Sequence, residues 1–398
     1  MRPLRSCAGS LAAGLAWLAL AVVFLFPFYW LVNSSLKGPE AIAEYPPRFL
    51  PDEQQTAPLP DAALSVVAMA DGVEALRLGD LEGGGQVVVR LFRQGELTRD
   101  VRVADRTTLK PLGRTAALPE KTAPLAGTPD GQKALVVGAA EVEGQTIVYW
   151  IPQGGAWAVH ASPSSVLRPV RRLAPRWSNY AEALAQLPFD LFFRNSFLLC
   201  LVVTLGQLIS SSLAAYAFAR LRFPGRDALF MVLLATLMIP AEVTLIPMFL
   251  GFKTLGWVDS YLPLVVPQFC AGAFNVFLLR QFFMTLPIEL DEAASLDGAG
   301  HFTILCRVIL PLSKPALIVV AVFTFVGCWK DLMGPLIYLD SLDKRTVALG
   351  LEYLRNPHQN NGHLIMAAAT VSMIPVALLF FAAQRHILKG IALTGINR

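Results

Sequence analysis

The sequence predicts an all-α membrane protein with six transmembrane helices and an inserted, mainly β domain. Hydrophobic residues make up 55% of the chain and charged residues only 16%, a composition typical of membrane proteins. Residues 51–176 differ, because they are richer in Gly, Pro and charge and contain no stretch long enough to cross a bilayer. Outside them, six apolar stretches approach the length of about 20 residues that a span needs, namely residues 11–32, 196–219, 228–249, 262–283, 316–339 and 364–387.

The first apolar stretch, residues 11–32, follows a basic start, so a cleaved secretory signal is one alternative. Its length and aromatic end favour an uncleaved membrane anchor, because Tyr29 and Trp30 suit the membrane interface. Residues 1–50 are therefore predicted to form a short N-terminal tail and the first span.

The distribution of Lys and Arg predicts the orientation, because short cytoplasmic loops retain these residues. With six spans, all the basic clusters fall on one side, which places both termini in the cytoplasm. Residues 51–176, 251–260 and 340–363 then lie outside the cytoplasm. The basic residues are Arg2, Arg5, Arg220, Arg222, Arg226, Arg280, Arg307, Lys314, Arg385, Lys389 and Arg398.

Short β-rich runs separated by turn residues predict a mainly antiparallel β domain over residues 51–176. The pieces at residues 82–85, 93–96 and 152–155 contain the Gly residues that hairpin turns favour. Residues 114–131 are rich in Pro, Thr and Ala and are predicted to form a loop between two groups of strands. The predicted strands cover residues 74–78, 86–92, 97–103, 133–138, 146–151 and 157–160.

The sequence contains no recognisable catalytic, metal-binding or nucleotide-binding motif. His160 stands alone, and a lone histidine is more often structural than functional. The phosphate-binding pattern Gly-x-x-x-x-Gly-Lys-Ser/Thr does not occur, and the scattered cysteines show no disulfide or metal spacing. We therefore expect no catalytic residue, no metal and no cofactor bound by this chain. Without a basic helix carrying aromatic residues, we also expect no nucleic-acid partner.

Residues 287–298, between the fourth and fifth apolar stretches, form a short acidic segment. Pro287 suits the first turn of a helix, and three carboxylates near the start complement the positive end of the helix dipole. Gly298 can adopt the left-handed conformation that ends a helix. The segment predicts a helix that fills a groove on another protein, with an acidic connector helix as the alternative.

This acidic segment resembles the EAA loop of membrane subunits of binding-protein-dependent ABC importers. Glu-Ala-Ala, the following Gly and a later Leu-Pro occur at the family's spacing, and only Val308 departs from the Ile-x-Leu-Pro pattern. The resemblance implies that residues 286–311 form a cytoplasmic loop that couples this chain to an ATPase. The residues concerned are Glu292, Ala293, Ala294, Asp297, Gly298, Leu310 and Pro311.

Other motifs are similar to those of carbohydrate permeases of the maltose-permease type. The resemblance covers the first span and residues 177–398, and it includes Met238-Ile239-Pro240 and the residues around Trp329. It implies the type I importer fold in a bacterial-type inner or plasma membrane, surrounded by lipid. It also implies a second permease subunit, an extracytoplasmic solute-binding protein and two cytoplasmic ABC ATPases that use ATP and Mg. The solute would be an oligosaccharide, a monosaccharide or a polyol phosphate.

Polar residues within the predicted spans are candidates for a translocation path. Glu242 lies between two helix-breaking prolines, where a carboxylate should face a cavity, a partner or the outer boundary, with kinked-helix packing as the alternative. Where related permeases have Trp-Asn-Asp or Trp-Asn-Glu, this chain has Trp-Lys-Asp, which equally favours an anionic solute or pairing with the partner subunit. The candidates are Glu242, Gln268, Asn275, Lys330 and Asp331.

Two other functions fit parts of the sequence. A membrane receptor or scaffold with an extracytoplasmic sensor domain would explain the insertion, but it leaves the EAA pattern unexplained. An ion-coupled secondary transporter would be expected to show repeated halves, and the six stretches show no clear repeat. For the insertion, contact with a solute-binding protein or another membrane subunit and an elaboration without a transport role remain equal alternatives.

Overall fold

The computed structural model describes residues 4–43, 48–81, 85–93, 96–142, 144–155, 157–355 and 361–394, without the side chains of residues 4–12, 40, 43 and 386–394. Arg2 and Arg398, which contributed to the predicted orientation, lie outside these residues. The chain divides into two compact units. The membrane unit comprises Met1–Ala43 and Arg176–Arg398, and the insertion unit comprises Glu44–Pro175.

The first half of the membrane unit, where it is described, contains two long apolar helices and six shorter ones. Its helices are α1 (Leu4–Ser35), α2 (Pro39–Ala43), α3 (Ser178–Ala185), α4 (Phe189–Arg220), α5 (Arg226–Ala235), α6 (Ala241–Thr254), α7 (Leu262–Val265) and α8 (Ala273–Thr285). A 3₁₀ turn at Val266–Phe269 continues α7 towards α8.

The second half begins at the acidic segment. It contains α9 (Glu289–Leu296), α10 (His301–Ile304), a π-helical turn (Leu305–Ile309), α11 (Leu310–Leu312), α12 (Lys314–Trp329), α13 (Met333–Tyr338), α14 (Val347–Tyr353) and α15 (Gly362–Thr394). The long helix α4 packs against α8 and α12, and α15 packs against α1 and α12.

Among the described residues, four segments are long and apolar enough to cross a bilayer, and they lie in α1, in α4, in the run Leu262–Thr285 from α7 to α8, and in α15. The number rises to six if each of two bent helix pairs counts as one span. The first pair bends by 96° between α5 and α6, and the second by 83° where α12 begins. Pro240 accounts for the first bend, because it lacks an N–H and has an extended backbone with φ −61° and ψ 136°. The predicted number of six lies at the upper limit of this range.

The predicted fifth span, residues 316–339, is wrong as one continuous helix. α12 ends at Trp329, and the chain becomes helical again only at Met333. The backbone N–H of Gly334 donates to Asp331 Oδ1 at 3.2 Å, so the Asp331 side chain supports the restart of the helix. Hydropathy does not reveal this break, because apolar residues flank it on both sides.

Asp259 joins two loops at one end of the membrane unit. Its carboxylate accepts hydrogen bonds from Ser341 Oγ at 2.6 Å and from Lys344 Nζ at 2.7 Å. The hydrogen bonds from Lys344 and Ser341 hold the pKa of Asp259 well below its usual value. Loops 251–260 and 340–363, which the sequence assigns to the same side, therefore meet at this residue.

The insertion unit is formed by antiparallel strands. They are β1 (Asp52–Gln54), β2 (Thr56–Pro58), β3 (Leu64–Ala68), β4 (Glu74–Asp80), β5 (Gln86–Arg93), β6 (Glu96–Asp105), β7 (Lys110–Ala116), β8 (Thr122–Gly127), β9 (Lys133–Val142), β10 (Gln145–Pro152), β11 (His160–Pro163), β12 (Arg168–Pro169) and β13 (Arg171–Leu173).

Two larger sheets enclose the core of the insertion unit. One has the strand order β6-β5-β4-β3-β7, and the other has the order β11-β10-β9-β8-β12, with β2 also paired to β8. Their buried residues include Leu76, Leu78, Leu135, Tyr149 and Ile151. β1 and β13 form a separate two-stranded sheet near the two ends of the unit.

The predicted loop over residues 114–131 is wrong. Its middle forms β8, which pairs with β2, β9 and β12. Ala123 and Leu125 are buried while Thr122 and Pro124 are exposed, so the alternation of a strand is present. Small residues and a proline concealed this alternation. The predicted turn residues 82–84, 94 and 95 lie outside the described residues.

A partly buried ion pair between Arg90 and Glu120 stabilises the insertion unit. Arg90 on β5 is buried, and its guanidinium donates to both carboxylate oxygens of Glu120 at 2.7 and 2.8 Å and to the carbonyl of Thr98. The hydrogen bonds from Arg90 lower the pKa of Glu120. The Glu120 side chain is 45% exposed, so water partly screens the attraction between its carboxylate and the Arg90 guanidinium.

Replacing Glu120 by Gln should destabilise the insertion unit, because buried Arg90 then keeps its charge without an ionised partner. We expect the free energy of unfolding to fall by about 1–3 kcal/mol, less than for a fully buried pair. The change is measured by denaturant unfolding of the purified chain. Proteolytic cleavage within residues 96–142 reports the fraction of the insertion unit that is unfolded.

Asp100→Asn is the matched control, because Asp100 pairs with Arg93 at 3.6 Å on the surface, with both side chains more than half exposed. Its effect should lie within about 1 kcal/mol. Because the folded pKa of Glu120 is lowered, its contribution is present above the usual pKa and is lost as the pH falls through the lowered value. Equal losses in the two variants, or no pH dependence, would contradict the assignment.

Candidate functional site

The acidic segment folds as the predicted short helix. α9 spans Glu289–Leu296 and has Glu289, Asp291 and Glu292 in its first turn, where they complement the helix dipole. Pro287 lies two residues before the first helical residue, whereas the sequence suggested the first turn. The helix therefore begins slightly later than predicted, behind Ile288.

Gly298 ends α9 in the left-handed conformation, with φ +83°. The N–H of Ala299 donates to the carbonyl of Ala294, and the N–H of Gly298 donates to the carbonyl of Ser295, both at 3.0 Å. This pair of hydrogen bonds is the Schellman motif, which satisfies the last carbonyls of a helix. A Cβ at Gly298 would meet no atom within 4 Å, so only the backbone conformation restricts this position.

One face of α9 packs against the rest of the membrane unit, and the opposite face is exposed. Ala294 and Ala299 pack on the apolar cluster formed by α4, α5, α8 and the helices after α9. Leu296 is 90% exposed, and Leu290 and Ala293 are also exposed. The two alanines of the motif therefore differ, because Ala293 is available to a partner while Ala294 faces the membrane unit.

Arg220, at the end of α4, attaches α9 to the membrane unit. Its Nη2 donates to the carbonyl of Leu286 at 2.9 Å, and its Nε lies 3.3 Å from Asp291 Oδ2. Both side chains of this ion pair are largely buried. Burial raises the pKa of Asp291, and the charges of Arg220 and His301 offset only part of that rise.

Leu310 and Pro311, the last predicted coupling residues, lie where the chain turns from the loop into α12. Leu310 is half-buried against the same apolar cluster as Ala294, and Pro311 is exposed. The π-helical turn before them and the 83° bend after them mark this corner. Glu292 and Asp297 are exposed on α9 and at its end.

A cleft of about 660 Å³ opens in the membrane unit beside two helix breaks. One break lies between α7 and α8, and the other lies between α12 and α13. The cleft brings together four of the predicted path residues, which are Gln268, Asn275, Lys330 and Asp331. Its other polar lining residues include Gln207 and Thr324.

Glu242, the fifth predicted path residue, does not line this cleft. It lies in the first turn of α6, directly after the break at Pro240, and its side chain is exposed. A carboxylate there complements the positive end of α6, which gives it a local structural role.

Gln207 on α4 is the centre of a hydrogen-bond network at the first break. It is 5% exposed, and its Oε1 accepts from the Gly272 N–H at 3.1 Å, from Asn275 Nδ2 at 3.0 Å and from Ser211 Oγ at 3.2 Å. Its Nε2 donates to Gln268 Oε1 at 2.9 Å. The side chain therefore caps α8 and also fixes two residues of the cleft.

The backbone at this break is strained and closely packed. Ala271 has φ +53°, which is uncommon for a residue with a side chain, and its N–H donates to Ser210 Oγ at 3.1 Å. Gly206 lies against the Phe269 ring so closely that a Cβ would fall 2.7 Å from it. Side chains of α4 thus hold a conformation that the segment would not adopt alone.

Sequence reasoning missed Gln207, although one signal was available. A buried amide within a long apolar helix must find partners, and it therefore marks an internal polar site. Thr324, whose Oγ1 lies 3.4 Å from Asn275 Nδ2, gave no such signal, because threonine is common in membrane helices.

Residues 207–393 match the family described as binding-protein-dependent transport system inner membrane component. This match lies within the membrane unit, and the insertion unit lies outside it.

Curated relatives match over most of their own length. The osmoprotective compounds uptake permease protein of Synechocystis sp. is 35% identical over 54% of this chain and 72% of the relative. The arabinooligosaccharides transport system permease protein of Halalkalibacterium halodurans is 33% identical over 52% and 74%. The sn-glycerol-3-phosphate transport system permease protein of Escherichia coli O157:H7 is 33% identical over 59% and 84%.

A solved bacterial ABC transporter involved in the import of the acidic polysaccharide alginate contains a chain that is 25% identical to this one. The likeness covers 55% of this chain and 81% of that chain, with a TM-score of 0.49.

Gly298→Val should fray the end of α9, because a β-branched residue in the left-handed region costs at least about 1–2 kcal/mol. Amide hydrogen exchange is measured on the intact chain and read in the proteolytic fragment that covers α9. The exchange rate of that fragment should rise about five- to thirtyfold. Gly300→Val is the control, because Gly300 has φ −74° and open space around it. Similar exchange in the two variants would show that the left-handed residue does not hold the helix end.

Gln207→Leu should destabilise the membrane unit, because the Gly272 N–H loses its acceptor and Gln268 loses a donor. We expect a loss of about 1–3 kcal/mol in the free energy of unfolding, measured in detergent micelles. Gln281→Leu makes the same change at an exposed position of α8 and should change it by less than about 0.5 kcal/mol. Indistinguishable stabilities of the two variants would refute the capping role.

Proposed function

This chain belongs to the family of binding-protein-dependent transport system inner membrane components, and from that premise we propose that its solute is a sugar or a sugar-like molecule. It is a permease subunit with the type I ABC importer fold. The names of two relatives, for arabinooligosaccharides and for sn-glycerol-3-phosphate, support a polyhydroxylated solute. The amides of Gln207, Gln268 and Asn275 suit this class, because an amide both donates to and accepts from hydroxyl groups.

The exposed apolar face of α9 is the proposed docking surface for the ATPase that drives transport. Leu290, Ala293 and Leu296 would fill a groove on a separate cytoplasmic ATPase, which would supply ATP hydrolysis with its own Mg. The sequence contains no phosphate-binding loop for ATP. Two ATPases and a second permease subunit would complete the transporter.

Contacts behind α9 supply a route for movement to the solute path. Arg220 would carry a displacement of α9 to α4, because the guanidinium contacts both Asp291 and the carbonyl of Leu286. α4 also contains Gln207, which contacts the break before α8. Rocking of α9 would thus shift the elements that line the cleft and alternate its access between the two sides.

We assign six spans, with each bent helix pair counted once. Both termini and α9 would then be cytoplasmic in a bacterial-type inner or plasma membrane, as the loops rich in Lys and Arg favour. The end that carries Asp259 and Lys344 would face outward. The insertion unit would also lie outside, where it would contact a solute-binding protein or the second permease subunit.

Leu296→Asp should weaken ATPase binding by at least about thirtyfold, the size of an interface hot spot, because it places a charge in the docking face. The protein itself should remain folded, since Leu296 is 90% exposed. Recovery of the ATPase with the tagged chain, together with ATP-dependent uptake by cells, measures the effect.

Leu112→Asp serves as the control, because Leu112 is an exposed leucine of the insertion unit. This variant should recover the ATPase normally. Normal recovery and normal uptake with Leu296→Asp would show that α9 is not the docking element.

A further inference from the structure

The cleft contains one cation, Lys330, that has no partner among the described residues. Lys330 follows the last residue of α12, lines the cleft and is exposed. Within the described part of the chain, its ammonium forms no ion pair and no hydrogen bond. An ammonium in a membrane segment is unfavourable without a counter-charge or water, so its position here needs a functional or structural reason.

The neighbouring carboxylate is already engaged by the backbone. Asp331 is half-buried, and its Oδ1 accepts the Gly334 N–H at 3.2 Å. Its other oxygen is also close to Gly334, where an added Cβ would lie 2.6 Å from Oδ2. Asp331 therefore supports the restart of the chain as α13, whereas Lys330, which lines the same cleft, makes no such contact with the described backbone through its side chain.

The other polar lining groups are neutral. Gln207, Gln268, Asn275 and Thr324 offer amide and hydroxyl groups, and most of the remaining lining residues are apolar. These neutral groups suffice for the hydroxyls of a solute, but none of them can neutralise an ammonium. The cleft thus combines neutral hydrogen-bonding groups with two charged ones, of which the Asp331 carboxylate accepts from the backbone while the Lys330 ammonium has no hydrogen bond among the described residues.

We propose that the solute of this permease is an anionic sugar or polyol, whose carboxylate or phosphate pairs with Lys330 while its hydroxyls meet the amides. This inference rests on the proposed function and specifies its substrate class. Charge-assisted hydrogen bonds to a carboxylate or phosphate are stronger than neutral ones, so Lys330 would discriminate between otherwise similar solutes. The names of the relatives include both a neutral and a phosphorylated solute, so family membership alone admits either class.

The experiment measures uptake of three matched pairs by cells that carry the chain with its own partner subunits. The pairs are galactose and galacturonate, maltose and maltobionate, and glycerol and sn-glycerol 3-phosphate. Deletion of the chain should abolish uptake of at least one anion and spare its neutral counterpart. Lys330→Met should lower the initial rate for that anion by at least about tenfold, because it removes an ionic hydrogen bond. Lys330→Arg should lower it less than about threefold.

Lys253→Met is the matched control, because Lys253 is an exposed lysine of α6 that does not line the cleft. Its uptake rates should equal those of the unmodified chain. The galacturonate and maltobionate arms report a carboxylate solute, and the glycerol 3-phosphate arm reports a phosphate solute.

The proposal is overturned if deletion removes uptake of a neutral member, if none of the six solutes depends on the chain, or if Lys330→Met leaves the ratio of anion to neutral uptake unchanged. An unchanged ratio with poor recovery of the complex would instead assign Lys330 to the second permease subunit. Recovery of the ATPase with the unmodified tagged chain is measured in the same cells. Its absence would mark failure of the proposed function, whereas its presence with neutral uptake would refute only the anionic solute.

Discussion

The membrane unit depends on one constraint: backbone groups freed by helix breaks inside an apolar layer need partners within the protein. At the break before α8, Gln207 accepts the Gly272 N–H and Ser210 accepts the Ala271 N–H. At the break after α12, Asp331 accepts the Gly334 N–H. Both breaks adjoin one cleft, and two of the side chains that satisfy the backbone, Gln207 and Asp331, also line it. Under the proposed function, Gln207 would serve both the backbone at the break and the solute.

The acidic helix α9 is fixed to the rest of the membrane unit on one face and exposed on the other. Its inner face is fixed by the contact of Arg220 with Asp291 and by the packing of Ala294, while Leu296 remains exposed. An eight-residue helix is too short to be stable alone in water. The attachment to α4 and the Schellman motif at Gly298 stabilise it without using the face that a partner needs. The same attachment connects that face to the helix that carries Gln207.

The insertion unit has a different basis of stability. Its two larger sheets bury a core made of its own residues, and the Arg90 and Glu120 pair closes one edge of that core. The family match is confined to residues 207–393, so the insertion is an addition to the part that defines the family. Its strands were predicted where β-branched residues cluster, as in β5, and missed where small residues predominate, as in β8. Burial of Ala123 depends on the strands beside it, which local sequence does not reveal.

The sequence by itself determined the class of protein, the apolar segments and the acidic helix, because hydropathy, helix capping and the spacing around Gly298 act over short distances. It also identified Gln268, Asn275, Lys330 and Asp331 as polar residues in an apolar setting. Only the tertiary structure decided that these four line one cleft and that Glu242 does not, since that grouping depends on how separate helices pack. It also showed that Gln207 joins α4 to the break before α8. Hydrogen bonds between residues more than 60 positions apart form this junction, and no local pattern encodes such pairs.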